Sequence, residues 1–217
     1  RNYSRKVSRN NTKQCWILKC DIKKFFANID HQILRYIVVR YVDDDTVWLL
    51  NRIVESFHSE KGSLRQAQDK KGLPLGNLTS QLLVNIYMNE FDQYIKHRLK
   101  IRYYIRYADD FVIFHQDKSC LESFIPKISQ FLQDNLKLTL HPNKVFIKTF
   151  SSGVDFLGWV HFPNHRVLRT STKRRMMKNF ADNLSKETRS SYLGLLKHGN
   201  TWKLRNKIQF DFGEILS

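Results

Sequence analysis

Apolar residues first cluster at Trp16 to Ile22, in a short run that Lys19 interrupts. A run of this length and composition predicts a buried β-strand. Asp30 is a good helix N-cap, and the apolar residues that follow it at helical spacing predict a helix from His31 to about Tyr41. The acidic segment 43–45 then favours a cap for a second helix.

The middle of the chain switches between helical and strand periodicity. Gly72 to Gly76 has the glycines and proline of a rigid connection, and the next apolar positions predict a long helix over about Leu78 to Lys96. Aromatic and β-branched residues in Ile101 to Phe114 predict a strand, a turn and a second strand. Ser119 to Asn135 has helical spacing, although Pro126 argues against one uninterrupted helix.

Short strands and then basic helices are predicted for the last third of the chain. The strands fall at Val145 to Phe150, Phe156 to Val160 and Arg166 to Leu168, and the helices follow from Thr172. Arg1 to Lys13 is basic and polar, which is typical of a connector into the first strand. Helices packed on one face of a small antiparallel sheet make an α+β domain, with the basic helical tail as a second unit.

The net charge indicates a polyanionic partner. The sequence has 37 Lys and Arg against 20 Asp and Glu, which gives a formal net charge of +17. A field of this strength favours nucleic acid, and the alternative is a basic surface that serves only solubility. Mean hydropathy is −0.48, and no apolar run approaches the roughly 18 residues that span a bilayer, so we expect no membrane partner.

The cysteines indicate a reducing compartment. There are three, so they cannot all pair, and none lies in a CxxC motif. Cys15 and Cys20 flank an apolar run, which favours buried, reduced thiols over metal ligands. Together with the lack of a signal-peptide pattern after Arg1, this predicts a cytoplasmic protein.

Three carboxylates mark the candidate site. Asp109 and Asp110 lie between two predicted strands, although aspartate also favours ordinary turns and a purely structural role stays open. Asp21 closes the first apolar strand, where an unpaired carboxylate is costly to bury. Converging carboxylates repel one another unless cations lie between them, and Mg²⁺ prefers oxygen ligands. Two such ions about 3.5–4 Å apart can promote phosphoryl transfer.

Five segments resemble the palm motifs of reverse transcriptases, and they occur in the order that this family shows. They are Asp21–Phe26 with Ile29-Asp30, Gly72–Gln81, Arg106–Asp110 with its tyrosine-x-aspartate-aspartate box, His141–Lys144, and Phe156–Trp159. One segment could arise by chance, whereas five in family order make the resemblance specific. The resemblance implies a polymerase palm and RNA-directed synthesis of DNA.

The resemblance assigns the metal site to the carboxylates. Asp21 and Asp109 would bridge two Mg²⁺ ions, for which Mn²⁺ is an alternative, and Asp110 would be an accessory acidic group at the same turn. The backbone carbonyl of Ile22 is a further candidate ligand. These four residues are the predicted catalytic and metal-binding set.

A nucleotide and template site is implied as well. Phe26 would be a bulky gate under the sugar that rejects a 2′-hydroxyl, unless it is an ordinary core aromatic. Leu75 would lie against the nascent base pair, and Gly76 would let the backbone approach the template and the incoming base. Gln81 would offer an amide on the next helix. Lys144 would lie near the pyrophosphate, unless it is a solvated strand lysine.

A primer grip and a thumb are implied for the C-terminal part. The grip, which positions the 3′ end of the primer, comprises Phe156, Leu157, Gly158 and Trp159. From Val160 onward there are twelve Lys and Arg against four Asp and Glu, which suits a thumb that follows a duplex by its phosphates, or else a solvated helix face. The candidate contacts are Lys173, Arg174, Arg175 and Lys178.

These roles predict two domains. We place the palm, with a remnant of the fingers connection, at residues 1–170 and the helical thumb region at residues 171–217. The motifs that would precede the first palm motif and form the fingers are not in this chain, so we expect the fingers to lie largely outside it.

The second motif bears on the subfamily. An aliphatic residue before Gly76 and a glutamine after Ser80 resemble the reverse transcriptases of diversity-generating retroelements, which copy a template RNA with errors at adenines. Group II intron-like and defence-associated bacterial reverse transcriptases share much of this palm and stay as alternatives, as does a truncated, non-catalytic nucleic-acid-binding module. Phe26 argues against an RNA-directed RNA polymerase. The implied partners are an RNA template, a DNA or RNA primer and dNTPs, with room for a small accessory protein.

Overall fold

The computed structural model describes residues 2–56, 71–74, 76–182 and 185–212. Contacts divide the chain into two compact units: one is Trp16–Ile147, and the other combines Arg1–Cys15 with Lys148–Ser217. This division falls earlier in the chain than residue 170, where we predict the palm to give way to the thumb, and that functional boundary stays a prediction. None of the described helices has both the length and the apolar character that crossing a bilayer requires.

Eight α-helices lie in the described ranges. They are α1 Asn2–Val7, α2 His31–Val38, α3 Asp44–Ser56, α4 Leu78–Gln93, α5 Lys118–Leu136, α6 Thr170–Ala181, α7 Lys186–Leu196 and α8 Trp202–Phe212. A π-helical turn, Tyr94–Arg98, continues α4. The helices predicted between the first strand and residue 136 are therefore confirmed, whereas α1 lies where we expected only a connector.

Local signals explain how α2 begins and why α5 continues past its proline. Asp30 caps α2 as predicted, because its Oδ1 accepts hydrogen bonds from the backbone N–H groups of Gln32 at 2.9 Å and Ile33 at 3.2 Å. The helix ends at Val38, about one turn earlier than predicted. Pro126 lies on the exposed face of α5, where water can satisfy the carbonyl that a proline leaves unpaired, so the helix runs through it.

Four strands form one sheet in the spatial order β2-β3-β1-β4. Their bounds are β1 Trp16–Asp21, β2 Tyr104–Tyr107, β3 Asp110–His115 and β4 Phe146–Thr149. β3 pairs antiparallel with β1 and with β2, so β1 and β3 are central. The middle four residues of both strands are buried, which explains why all of them except Lys19 are apolar. The predicted first strand and the predicted hairpin are confirmed.

Helices α4 and α5 supply the core that supports this sheet. Tyr87 and Phe91 of α4 are fully buried, as is Phe111 of β3, and the rings of Phe91 and Phe111 meet edge to face at 5.1 Å. Leu121 and Ile128, two turns apart on α5, are also fully buried. The strand ends that carry the carboxylates are thus built on close-packed helices, and the predicted α+β fold is confirmed.

The second unit contains a three-stranded antiparallel sheet, β5 Val154–Phe156, β6 Trp159–His161 and β7 Arg166–Leu168, in that order. The prediction of one strand over Phe156–Val160 is therefore wrong. Leu157 has φ 53° and Gly158 has φ 79°, so two successive residues are left-handed and reverse the chain in a tight hairpin. The predicted strand at Arg166–Leu168 is confirmed.

The C-terminal helices form their own apolar cluster in this unit. Met176 and Phe180 of α6 are buried with Leu196 of α7 and Ile208 of α8. Gly199 has no space for a side chain, because the Trp159 ring occupies the position that a Cβ would take.

Candidate active site

The sheet brings the three predicted carboxylates to one end. Asp21 is the last residue of β1 and Asp110 the first residue of β3, and they are register partners. Asp109 lies in the two-residue turn between β2 and β3, directly after Ala108. The Ile22 N–H donates to the Asp109 carbonyl at 3.2 Å, which ties this turn to the end of β1. Residues far apart in the sequence meet because β1 and β3 are neighbours.

Two lysine ammonium groups lie against these carboxylates. Lys144 Nζ is 3.0 Å from Asp21 Oδ2, and Lys19 Nζ is 3.2 Å from Asp110 Oδ2. A turn closed by the Lys144 N–H, which donates to the His141 carbonyl at 3.1 Å, sets Lys144 in place. The fourth motif therefore contributes a cation to the same site.

Lys19 is a site residue that sequence analysis missed. Its side chain is only 11% exposed, whereas that of Lys144 is 53% exposed. The signal was present, because a lysine interrupts the apolar run two residues before Asp21, and residues two apart on a strand share a face. A lysine there needs a carboxylate partner, and Asp110 is that partner.

The site concentrates negative charge in a partly buried place. Burial raises the pKa of Asp109, and the charge of Asp21 raises it further. Burial also raises the pKa of Asp110, which Lys19 lowers in part. Asp110 Oδ1 is buried and has no hydrogen-bond donor among the described residues. Such an arrangement favours a bound cation.

A divalent metal fits this donor set, which consists of carboxylate oxygens of the kind that Mg²⁺ prefers. Within the described ranges, no cluster of three or more His, Cys, Asp or Glu side chains is already arranged to hold a metal ion. Asp21 and Asp110 instead face Lys144 and Lys19. Metal binding therefore stays a prediction, supported by the excess charge and the unpartnered oxygen of Asp110.

The backbone at Ile22 is compatible with its predicted role. Ile22 and Leu140 form an antiparallel bridge, in which the His141 N–H donates to the Asp21 carbonyl at 2.8 Å. The Lys23 N–H donates back to the other segment at 2.9 Å. Neither hydrogen bond uses the Ile22 carbonyl, which is the predicted metal ligand.

The start of the second motif pairs with the end of the first. The Gly72 N–H donates to the Ile29 carbonyl and the Leu73 N–H to the Phe26 carbonyl, each at 2.8 Å. The buried ring of His31 adds a third link, with Nε2 at 2.7 Å from the Gly72 carbonyl. The backbone of Phe26 and the second motif therefore form one hydrogen-bonded unit.

The predicted nucleotide-site residues differ in burial and in backbone conformation. Phe26 is half-buried, and its ring meets Phe25 edge to face at 5.4 Å. Gly76 has φ 94° and no described atom within 4 Å of the position of a Cβ, so backbone conformation rather than crowding requires glycine there. Gln81 is exposed on the first turn of α4. Leu75 lies outside the described residues.

The predicted primer grip is the β5–β6 hairpin. Phe156 and Trp159 are register partners and both are buried, so they anchor the hairpin in its own unit. Leu157 is 49% exposed and forms the tip together with Gly158. The Arg169 N–H donates to the Gly158 carbonyl at 3.0 Å and holds the tip.

The four predicted thumb contacts share one helix and one property. Lys173, Arg174, Arg175 and Lys178 are all exposed on α6. Met176 and Phe180 of the same helix are buried. The helix therefore presents a basic face to solvent and an apolar face to its own unit.

Comparisons with known proteins point to the same family as the five motifs. The family described as reverse transcriptase (RNA-dependent DNA polymerase) matches residues 2–161. YkfC of Escherichia coli K12 is 27% identical, over 89% of this chain and 57% of YkfC. The group II intron-encoded protein LtrA of Lactococcus lactis is 24% identical, over 75% of this chain and 37% of LtrA. The chain spans 57% or less of the length of these relatives.

Solved structures show the same fold. Apo telomerase from Candida tropicalis, truncated from the C-terminal domain, matches with a TM-score of 0.56 at 14% identity, over 77% of this chain and 38% of that one. Telomerase from Candida albicans in complex with a telomeric RNA fragment matches with a TM-score of 0.54 at 12% identity, over 78% and 33%. At such identities the likeness concerns the fold alone, and that fold is the polymerase palm.

Proposed function

Because the chain belongs to the reverse transcriptase family, we propose that it forms the palm and part of the thumb of an RNA-directed DNA polymerase. The observation that carries this proposal is the convergence of Asp21, Asp109 and Asp110 at one end of the sheet. The whole enzyme would copy an RNA template from a DNA or RNA primer with dNTPs.

The carboxylates would hold the metal ions. Asp21 and Asp109 would bind two Mg²⁺ or Mn²⁺ ions, with Asp110 and the Ile22 carbonyl as additional oxygen groups. Bound metal would supply activation of the primer 3′-hydroxyl and stabilisation of the leaving oxygen. Lys144, whose ammonium group already lies beside Asp21, would offset the charge of the departing pyrophosphate.

Primer extension tests this function. The full-length protein is given an RNA template, an annealed DNA primer, dNTPs and Mg²⁺, and a reaction with EDTA is the control. We expect metal-dependent extension on the RNA template. If the protein binds the duplex but extends no primer with either Mg²⁺ or Mn²⁺, the non-catalytic nucleic-acid-binding module is the better description.

We also propose that the basic face of α6 follows a nucleic-acid duplex by its phosphates. Changing Lys173, Arg174 and Arg175 together to alanine should then flatten the dependence of affinity on salt. Each lost phosphate contact lowers the log–log slope by about 0.9 on B-DNA, and a hybrid duplex should behave comparably. Fluorescence anisotropy with a labelled RNA–DNA hybrid at several salt concentrations measures the slope.

A matched control removes equal charge elsewhere. Lys186, Arg189 and Lys197 lie on or next to α7 and are changed together to alanine. The α6 assignment predicts the larger loss of slope for the first triple variant. Equal slopes for the α6 variant and the parent would leave these residues as a solvated face only.

Two observations favour different subfamilies of reverse transcriptase for this chain. The related proteins include group II intron-encoded LtrA, which favours a group II intron-like enzyme. The aliphatic residue before Gly76 and Gln81 after Ser80 favour the error-prone enzyme of a diversity-generating retroelement. We propose that the chain belongs to the enzyme of a diversity-generating retroelement, because errors at adenines distinguish that enzyme directly from a group II intron-like one. A small accessory protein is a candidate partner.

Error frequencies in cDNA distinguish the two subfamilies. If the retroelement assignment holds, cDNA made by the full-length enzyme carries an excess of errors at template adenines, and Leu75→Gln reduces that excess several-fold. A neutral hydrogen bond contributes about 0.5–1.5 kcal/mol, which is enough for a change of this size. Sequencing cDNA from one template, with any accessory partner present, measures it. Error rates that are equal at all four bases would favour the group II intron-like enzyme.

A further inference from the structure

Arg106 opens the tyrosine-x-aspartate-aspartate segment, and its guanidinium group reaches both the supporting helix and the catalytic turn. Its Nε donates to Asp92 Oδ1 at 2.9 Å, and Nη2 donates to Asp92 Oδ2 at 2.6 Å. Its Nη1 donates to the Ala108 carbonyl at 3.2 Å. We propose that Arg106 is a positioning residue, which fixes the turn that carries Asp109; this inference rests on the proposed function.

The anchor of this arrangement belongs to a wider hydrogen-bond network on α4 and β2. Asp92 lies on α4, and Asn85, two turns earlier on the same helix, accepts from Nη1 of Arg106 at 3.3 Å. The Tyr104 hydroxyl donates to Asp92 Oδ1 at 2.7 Å. Burial and the charge of Asp92 raise the pKa of Tyr104, so its hydroxyl keeps the proton that it donates.

The Arg106 side chain is itself only 8% exposed. Burial acts against its charge, but the hydrogen bonds and charge of Asp92 outweigh burial and raise the pKa of Arg106. The guanidinium group of Arg106 therefore stays charged at neutral pH. A charged group in this setting holds one geometry, because the two-pronged ion pair defines its plane.

The hydrogen bond from Arg106 offsets an unfavourable backbone conformation in the turn. Ala108 has φ 51°, a left-handed conformation that is unfavourable for residues with a side chain. The carbonyl that Arg106 binds belongs to the peptide group that joins Ala108 to Asp109. On the other side of Asp109, its own carbonyl accepts from the Ile22 N–H at 3.2 Å. Hydrogen bonds therefore fix the peptide groups both before and after the predicted metal ligand.

Only arginine can make this set of contacts. Its guanidinium group makes four donor contacts, two side by side to the oxygens of Asp92 and two from Nη1 to Asn85 and Ala108. A lysine ammonium group is a point charge on a flexible stem and cannot bridge a two-pronged ion pair and a carbonyl at once. Arg106→Lys therefore keeps the charge and removes the geometry.

The test compares turnover, substrate affinity and metal affinity in the full-length protein. For Arg106→Lys we expect kcat for single-nucleotide incorporation to fall about 10- to 100-fold, as for other residues that orient metal ligands. We expect KM for dNTP to change by less than about threefold, since the nucleotide contacts are intact. Mn²⁺ binding, followed by electron paramagnetic resonance without substrate, should weaken about tenfold or more.

Arg40→Lys is the matched control. Arg40 pairs with Glu90 of the same helix at 2.7 Å, and Glu90 and Asp92 point to different sides of α4 because they are two residues apart. We expect Arg40→Lys to leave kcat and Mn²⁺ affinity at the parent values. Asn85→Ala removes a single contact at an exposed residue that folding tolerates, and it should lower kcat about two- to tenfold.

Testing Arg106→Lys in a protein that also carries Ala108→Gly separates positioning of the turn from general support of the fold. Glycine adopts φ near 51° freely, so the Arg106→Lys loss in kcat should shrink at least about threefold when Ala108 is also changed to glycine. Parental kcat and Mn²⁺ affinity in Arg106→Lys would overturn the inference. An equal loss in both backgrounds would overturn it as well, because Arg106 would then act only by tying β2 to α4. If Asp109→Asn extends primers, the proposed function fails instead.

Discussion

Asp109→Asn should abolish primer extension by the full-length enzyme while making the protein more resistant to heat. The substitution removes one of the two carboxylates proposed to bridge the metal ions and keeps the side-chain volume. Losing a metal-bridging charge removes several kcal/mol of transition-state stabilisation, so the rate should fall roughly 10³-fold or more. Primer extension on an RNA template with Mg²⁺ measures this rate.

The gain in stability follows from the pKa of Asp109. Burial and Asp21 raise the folded-state pKa above the ordinary value of 3.8, so the ionised carboxylate opposes folding at neutral pH. Asparagine removes that cost. The difference in Tm between variant and parent should therefore be positive at pH 7. It should shrink as the pH falls through the folded-state pKa and disappear below 3.8, where the parent carboxyl is protonated in both the folded and the unfolded state.

The control for Asp109→Asn is Asp117→Asn. Asp117 caps α5, and the Ser119 hydrogen bonds lower its pKa, the opposite direction to Asp109. We expect Asp117→Asn to leave extension unchanged and to lower Tm rather than raise it. Mg²⁺ should raise the Tm of the parent and of Asp117→Asn but not that of Asp109→Asn. Substantial extension by Asp109→Asn would falsify the metal assignment.

Phe26→Ala should raise ribonucleotide incorporation relative to deoxynucleotide incorporation by about tenfold or more. Phe26 is proposed to lie under the sugar, where a ring leaves no room for a 2′-hydroxyl, and steric discrimination in such pockets is commonly about 10- to 200-fold. The backbone of Phe26 accepts the Leu73 N–H at 2.8 Å, and truncating the side chain leaves this hydrogen bond in place. Incorporation kinetics with matched dNTP and rNTP pairs measure the ratio.

Phe26→Tyr is the conservative control, because it keeps the ring and should keep the selectivity of the parent. Phe26 is half-buried, so Phe26→Ala should also cost less stability than the about 3–5 kcal/mol of a fully buried phenylalanine. A destabilised Phe26→Ala with unchanged sugar selectivity would assign Phe26 to the core instead. Altered selectivity in both variants would point to a role for the para position rather than for bulk.

Local pattern was sufficient for much of the fold. The apolar run at β1, the aspartate cap of α2 and the aromatic-rich hairpin of β2 and β3 each depend on residues close together in the chain, so periodicity and capping rules identify them. The segment of the β5–β6 hairpin was predicted as one strand because Leu157, one of its two left-handed residues, carries no turn signal. The order of the five motifs identified the family, since each motif is a contiguous segment.

Only the tertiary structure decided which of these segments meet. The pairing of β1 with β3 sets Asp21 opposite Asp110, and it places Lys19 beside Asp110, where the sequence showed only an interrupted strand. The hydrogen bonds from Arg106 to Asp92, like those that join the second motif to Phe26, likewise cross from one element to another. Residue pattern predicts elements because helix and strand periods are local, whereas strand register and side-chain partners depend on how distant segments pack, and in this protein those choices assemble the proposed active site.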